Sequence, residues 1–215
     1  MSVLTNNLDL FLSTFGQTLQ LFAISAVLSL VLGTLLAALR VSPVPVFRGI
    51  GATYVTVLRN TPLTLVFVFF VFAYPLLEIV KIDAYTAAVV SLSLYTAAFV
   101  CEVVRSGINT VPVGQAEASR ALGLTFTQML GNVVLPQALR SVVPPMTSTM
   151  IALLKNTTVA SGFAVVQAGS IRDSLSEQGE NVLLGLLWVA VGFVILVMPL
   201  TYVQQVFEKR WSVAR

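Results

Sequence analysis

Charge is almost absent from five long stretches of this chain. They cover residues 10–39, 60–77, 84–101, 141–171 and 181–207, and only Lys155 interrupts them. A helix rises 1.5 Å per residue and a bilayer's hydrocarbon core is about 30 Å thick, so roughly 20 apolar residues cross it. With 57% hydrophobic and 10% charged residues among 215, the chain holds more apolar surface than a soluble core can hide. These stretches predict an all-α membrane protein with five transmembrane helices, near 15–39, 55–77, 84–106, 137–158 and 181–206. They form a single domain over 1–215, with a polar loop over 112–136 between helices 3 and 4. The first stretch follows Asp9 with no basic segment before it and is too long for a signal-peptide core, so no cleavage is expected.

Lys and Arg set the orientation of such a chain. Arg40, Arg48, Arg59, Arg105, Arg120, Arg140, Lys209, Arg210 and Arg215 fall on one side of five spans. Lys81 and Arg172 fall on the other, joined by Lys155 if it reaches that surface, with Asp9, Glu78, Asp83, Asp173, Glu177 and Glu180. The bias predicts an external N-terminus, a cytoplasmic C-terminus and a cytoplasmic 112–136 loop. Trp211 with Lys209 and Arg210 reads as an inner-interface anchor.

Composition excludes several function classes. The chain has no histidine, the commonest general base and metal ligand, and no paired intramembrane carboxylates, so no catalytic or metal site is expected. The single cysteine, Cys101, lies in an apolar run and reads as a small buried hydrophobe. The net charge of +3 is dispersed rather than gathered into a stripe, which argues against nucleic acid. No segment matches G-x-x-x-x-G-K-[ST], so the chain carries no nucleotide-binding loop of that kind.

Within the loop, Gly114 is expected as an N-cap with Glu117 at the third helical position, opening a short helix from about Gln115 to Leu122. Gly123 suits the left-handed residue that stops it. Thr125 and Gln128 have the spacing of a capping box that restarts a second helix, and Pro136 marks a bend or boundary. Ala116, Ala118, Ser119 and Ala121 leave room for a partner surface.

This loop resembles the coupling loop of ABC importer permeases: Glu-Ala-Ala, three residues, Gly, nine residues, then Ile-x-Leu-Pro. Here the pattern reads Glu117-Ala118-Ser119, Gly123, then Val133-Val134-Leu135-Pro136, with Ser119 for Ala and Val133 for Ile. The resemblance implies a type I ABC importer transmembrane domain in a bacterial inner (cytoplasmic) membrane, whose coupling helix (Gly114, Gln115, Ala116, Glu117, Ala118, Ser119, Gly123) docks on an ATPase. It implies as partners two ATPase subunits that carry the ATP and Mg, a second permease chain, identical or paralogous, and an extracytoplasmic binding protein. This chain itself would bind no cofactor. A stand-alone channel or secondary transporter is the alternative, which the loop argues against.

Other segments are similar to the polar amino acid uptake subfamily. Arg59-Asn60-Thr61-Pro62-Leu63 looks like its Arg-(Gly/Asn)-Thr-Pro-Leu motif. Residues 99–108 look like its Ala-Glu-x-x-Arg-x-Gly-Ile segment, with Cys101 in place of Ala. Lys155-Asn156-Thr157-Thr158 looks like its Lys-(Asp/Asn)-(Ser/Thr)-(Ser/Thr) motif, and the combination is closest to glutamate importer permeases. One departure is Thr64-Leu65-Val66-Phe67, where many members carry a Gln.

The candidate substrate path comprises Lys155, Asn156, Thr157, Thr158, Arg59, Thr61 and Glu102. A charge in the bilayer costs about 2.5–3.5 kcal/mol even on insertion scales, so Lys155 faces a watery cavity, snorkels to headgroups, or pairs with Glu102. A cation in a cavity suits a carboxylate. Glu102 and Arg105 are spaced for an intrahelical pair, and Arg59 suits the interface as well as the path. Pro144-Pro145 predicts a kinked or broken fourth helix. Gly33, Gly185 and Gly192 suit close helix contacts, and the second span's phenylalanines suit packing or lipid.

Overall fold

The computed structural model describes residues 2–211, with side chains from Val3 to Lys209. Arg215 and the Arg210 and Trp211 side chains of the expected anchor lie outside the described residues. All regular structure among them is helical. The elements are α1 (Ser2–Asn6), α2 (Leu8–Val41), α3 (Pro45–Asn60), α4 (Leu63–Val68), α5 (Ala84–Asn109), α6 (Val113–Ala121), α7 (Phe126–Met129), α8 (Leu135–Asn156), α9 (Ile171–Glu177) and α10 (Val182–Trp211). By length and composition three helices can cross a membrane, α2, α5 and α10. Up to five spans result if the bent pairs α3 with Leu63–Leu77 and Phe126–Phe163 with Ala168–Glu177 each count as one.

Polarity along α2 is inverted relative to a soluble helix. Its buried stripe is Phe11, Thr14, Thr18, Leu21, Ser25, Ser29, Gly33, Leu36 and Ala37, while Leu12, Leu19, Val27, Val31 and Leu35 are exposed. Small and hydroxylated residues face protein because they allow close backbone approach; aliphatic residues face lipid. Thr14 and Thr18 return their hydroxyl hydrogens to Leu10 O and Thr14 O. The Thr18 oxygen also accepts the Ala168 amide at 2.9 Å. This protein packing carries α2 out to Leu8, beyond the start expected near Phe15.

α5 packs lengthwise on α2, burying Ala88, Leu92, Ala97, Ala98, Val100 and Cys101. Asp83 caps α5, accepting the Thr86 amide at 3.1 Å. Hydrogen bonding from Thr86 holds the Asp83 carboxyl below its ordinary range. Gly33 makes the α2–α5 contact possible, since a Cβ there would lie 2.8 Å from Ala97 O and overlap Val100. Gly185 and Gly192 of α10 likewise abut Leu175 and Phe15.

The stretch 55–77, expected as one span, is divided by a bend of 103° between α3 and Leu63–Leu77. Pro62 explains the break: it has no amide hydrogen, and it drives Thr61 into an extended conformation (φ −98°, ψ 130°). Past α4 the chain widens through a π-helical turn, Phe69–Ala73, and then tightens into a 3-10 turn, Tyr74–Leu77. Phe67 is buried and stacks on Phe163 at 5.0 Å, whereas Phe69 and Phe72 are exposed, so the aromatic crowd divides between packing and lipid.

α8 runs unbroken through Pro144 and Pro145, so of the expected kink or break the break is absent. Each proline removes an amide, leaving the carbonyls of Arg140 and Ser141 without their usual helical donors. Arg140 and Ser141 are exposed, so that loss falls at the protein surface. Pro136 follows the π-helical turn Leu130–Val134, whose wider backbone gives the ring room within a continuous helical run. α8 ends in a 3-10 turn, Thr157–Phe163.

Gly33→Leu overpacks the α2–α5 contact. Thermal unfolding of the detergent-purified protein should show a loss of about 1–3 kcal/mol, as overpacked cores do, against little change for Gly16→Leu, where a Cβ meets nothing within 4 Å.

Candidate functional site

α5 and α8 are antiparallel and close at Gly107, where a Cβ would strike Val142. Beside this contact they share a groove. Tyr95, Phe99, Glu102, Ser106 and Thr110 line it from α5, and Asn156, Ala152, Thr149, Ser148, Pro145 and Ser141 from α8. The α5 set recurs at intervals of three and four, the period of one helix face, and so does the α8 set apart from the adjacent pair Ser148 and Thr149. The groove divides into a cavity of about 370 Å³ around Tyr95, Ser148 and Asn156 and one of about 340 Å³ around Arg105, Ser106 and Ser141. A third, of about 310 Å³, opens towards α3 at Thr56, Arg59 and Asn60. Phe99 stands between the first and third, and Arg59 and Glu102 line both the second and third. At one end the Thr110 and Ser141 hydroxyls are hydrogen-bonded at 3.0 Å.

The charge in this groove is concentrated on Glu102. Arg40, from the end of α2, donates to its Oε1. Arg105, one turn along α5, donates to Oε2 at 2.9 Å. Arg59, from the end of α3, is 3.8 Å from Oε1 with its guanidinium 5.6 Å from the Phe99 ring centre. The expected Glu102–Arg105 pair is therefore present within a larger cluster that includes Arg40. One carboxylate faces three guanidiniums, so the site keeps surplus positive charge. Tyr54 adds a further tie between α3 and α5, donating to Leu94 O at 2.8 Å.

The other path candidates are dispersed. Asn156 lines the groove. Lys155 does not: with Thr158 it faces a separate apolar cavity of about 840 Å³ against Phe193, Val197 and Tyr202 of α10. The Lys155–Glu102 pairing considered from sequence is replaced by the arginine cluster. Thr157 is fully buried and donates to Leu154 O at 2.6 Å, and Thr158 donates to Lys155 O at 2.7 Å. Thr61 bonds Val57 O at 2.8 Å and lines none of the groove's cavities. The motif's spacing is helical, so its consecutive residues point in different directions and cannot all face one cavity. Sequence reasoning missed Tyr95, Phe99, Ser106, Thr110, Ser141, Ser148 and Thr149. Their signal is a polar or aromatic residue every three to four positions on two apolar helices.

The 112–136 loop forms a compact knob. α6 begins at Val113 with Pro112 as its cap, so Gly114 lies inside the first turn and Glu117 beyond it, earlier than the expected Gly114 cap. Pro112 is extended (φ −60°, ψ 138°), and its carbonyl accepts the Gln115 amide at 3.0 Å. Gly123 is left-handed (φ 78°) and ends the helix. The Leu124 amide returns to Ser119 O at 3.1 Å and the Gly123 amide to Arg120 O at 2.9 Å, the paired closure of a helix C-terminus. Thr125 and Gln128 make both bonds of the capping box. Gln115, Glu117 and Ala118 are exposed, as are the large apolar side chains of Val113, Leu122 and Phe126. Ser119 faces inward, bonding Gln115 O at 2.7 Å.

The family of binding-protein-dependent transport system inner membrane components has a model that matches residues 10–213. The glutamate transport system permease protein GluC of Corynebacterium efficiens is 43% identical over 201 residues, 88% of each chain. The probable glutamine ABC transporter permease protein GlnM of Bacillus subtilis is 32% identical over 209 residues, 97% of this chain and 96% of that one. A crystal structure of an amino acid ABC transporter with histidines superposes with a TM-score of 0.90 at 24% identity, covering 97% of both chains, and so shares the fold.

Glu102→Gln should uncouple the arginine cluster. Removing one partner of a buried ionic group costs roughly 3–5 kcal/mol, and partial exposure of the site puts the expected loss at the lower end. Thermal unfolding in detergent would measure it, and Arg40→Met with Glu102→Gln should lose less than the sum of the single changes.

Proposed function

The chain belongs to the family of binding-protein-dependent transport system inner membrane components, and we propose that it forms half of the solute path of an ATP-driven importer for glutamate or a closely related polar amino acid. It is an amino acid ABC transporter permease, a transport component rather than an enzyme. The observation that carries the finer reading is the polar groove along α5 and α8, which gives a hydrophilic solute hydrogen-bonding partners within otherwise apolar helices. The glutamate permeases among its relatives support the substrate class.

The groove is open along one side, so a second permease chain, identical or paralogous, closes it into a path. An extracytoplasmic binding protein delivers the solute at the Asn156 end. Two ATPase subunits, holding ATP and Mg, receive α6 at the cytoplasmic end. Their closure pushes the knob, and the movement reaches α8 through the continuous helical run from Phe126. Exposed Val113, Leu122 and Phe126 supply apolar anchors for that docking, with Gln115 and Glu117 as polar partners. Arg59, Glu102 and Asn156 are the path residues on this reading. Lys155 and Thr158 face the α10 cavity beside it.

Recovery of the assembly in mild detergent through a tag on this chain should bring down an ATPase and a binding-protein-dependent glutamate uptake activity; recovery of the chain alone would defeat the reading. Gly123→Val forces a β-branched residue to φ 78°, and it should abolish ATP-driven uptake while the protein stays inserted. Ser148→Trp should block uptake by filling the groove, with ATPase subunits still bound.

A further inference from the structure

We propose that the cavity between α8 and α10 is a contact with the second permease chain, which supplies a carboxylate to Lys155. The inference rests on the reading that two permease chains share the solute path.

The cavity holds about 840 Å³, and Ala190, Val194, Val197 and Met198 of α10 wall it. Val197 is 15 residues beyond Val182, the first residue of the 30-residue α10, and so about 22 Å along that helix. The wall is therefore the middle of α10. Lys155 lines the same cavity from the end of α8 with its side chain exposed. No ion pair or hydrogen bond joins its ammonium to another described residue. The middle of a 30 Å hydrocarbon core is about 15 Å from either headgroup layer, farther than a four-carbon stem carries a charge. Lipid is a poor cover for this face, because an unpaired charge at such depth is costly.

The solute suits the cavity no better. Its threonine hydroxyls already donate to their own helix, Thr158 to Lys155 O at 2.7 Å and Thr201 to Val197 O at 3.1 Å. Most of the remaining wall is apolar, so a zwitterion would lose its hydration there without replacement bonds. A helix of another chain fits both parts of the site, with apolar side chains against α10 and one acid at Lys155. α10 is also the least covered of the three long apolar helices, and Val194 and Met198 are 55% and 63% exposed. Glu102 of this chain does not serve, since Arg40 and Arg105 engage both its oxygens. An ion pair formed here fixes the register of two chains more than it adds affinity, because desolvation offsets the attraction.

The test uses the whole assembly, recovered in mild detergent through a tag on this chain. On illumination, a benzophenone side chain placed at Met198 should form an adduct with the second permease chain. A lipid-soluble carbodiimide joins an amine to a carboxylate with loss of water. It should link Lys155 to an acidic residue of that chain, identified by mass spectrometry of the joined peptides. Both readouts keep the native Lys155, so no charge variant has to fold. Lys155→Met should lower recovery of the second chain roughly tenfold after dilution, whereas Lys155→Arg, which keeps the charge, should hold it. With the second chain present, adducts to lipid alone, or an adduct at Met198 without a Lys155 conjugate, overturn the proposal. Recovery unchanged by Lys155→Met also overturns it. An assembly that contains no second permease chain removes the shared-path reading and this contact together.

Discussion

A carboxylate on a membrane helix has to be neutralised, and in this protein that requirement organises three helices. Glu102 is carried by α5; its counter-charges arrive from the end of α2, from the end of α3 and from one turn further along α5. Arg40 reaches it only because Gly33, Ala97 and Ala98 let α2 and α5 approach closely. Arg59 reaches it because α3 packs on α5. The ionic cluster and the helix packing are therefore mutually dependent. A pair this deep need not stabilise the fold relative to an apolar replacement, but removing one member is costly. Such clusters specify an arrangement more than they strengthen it.

The groove follows from the same geometry. With one face of α5 committed to α2, the face carrying Tyr95, Phe99, Glu102, Ser106 and Thr110 is left for α8 and for the groove between them. α8 presents hydroxyls and Asn156 at matching intervals. Its two interior prolines leave carbonyls near Ser141 without helical donors, which adds acceptor character at that end. Backbone of this kind is tolerated in a membrane where it meets protein or water.

Much of the architecture was legible in the sequence because lipid allows few solutions. Apolar runs mark α2, α5 and α10, and Gly123, Thr125 and Gln128 mark the turns of the knob because each residue type has a specific backbone requirement there. The bend after Asn60 was written in Pro62, yet a charge-free run of 60–77 masked it, since hydropathy has no directional content. The prolines of α8 left both a kink and a break open, and the break is absent because exposed carbonyls tolerate the missing amides. At the site, Arg59, Glu102 and Asn156 were legible as polar groups out of place. Lys155, Thr157 and Thr158 were grouped with them by adjacency, whereas a helix separates neighbours by about 100°. The hydroxyl face of α8 stayed hidden because serine and threonine are common in membrane helices, where they bond their own backbone.

The short segment after Pro62 has a consequence for the surrounding lipid. From Leu63 to Leu77 the helix covers about 22 Å at the usual rise, less than the roughly 30 Å of an average hydrocarbon core. Exposed Ile79 and Val80 continue past it in non-helical chain. A segment shorter than the hydrocarbon core is matched by thinning of the bilayer, by tilt, or by the bent partner α3, so the thickness of the surrounding lipid enters the energetics of this edge of the protein.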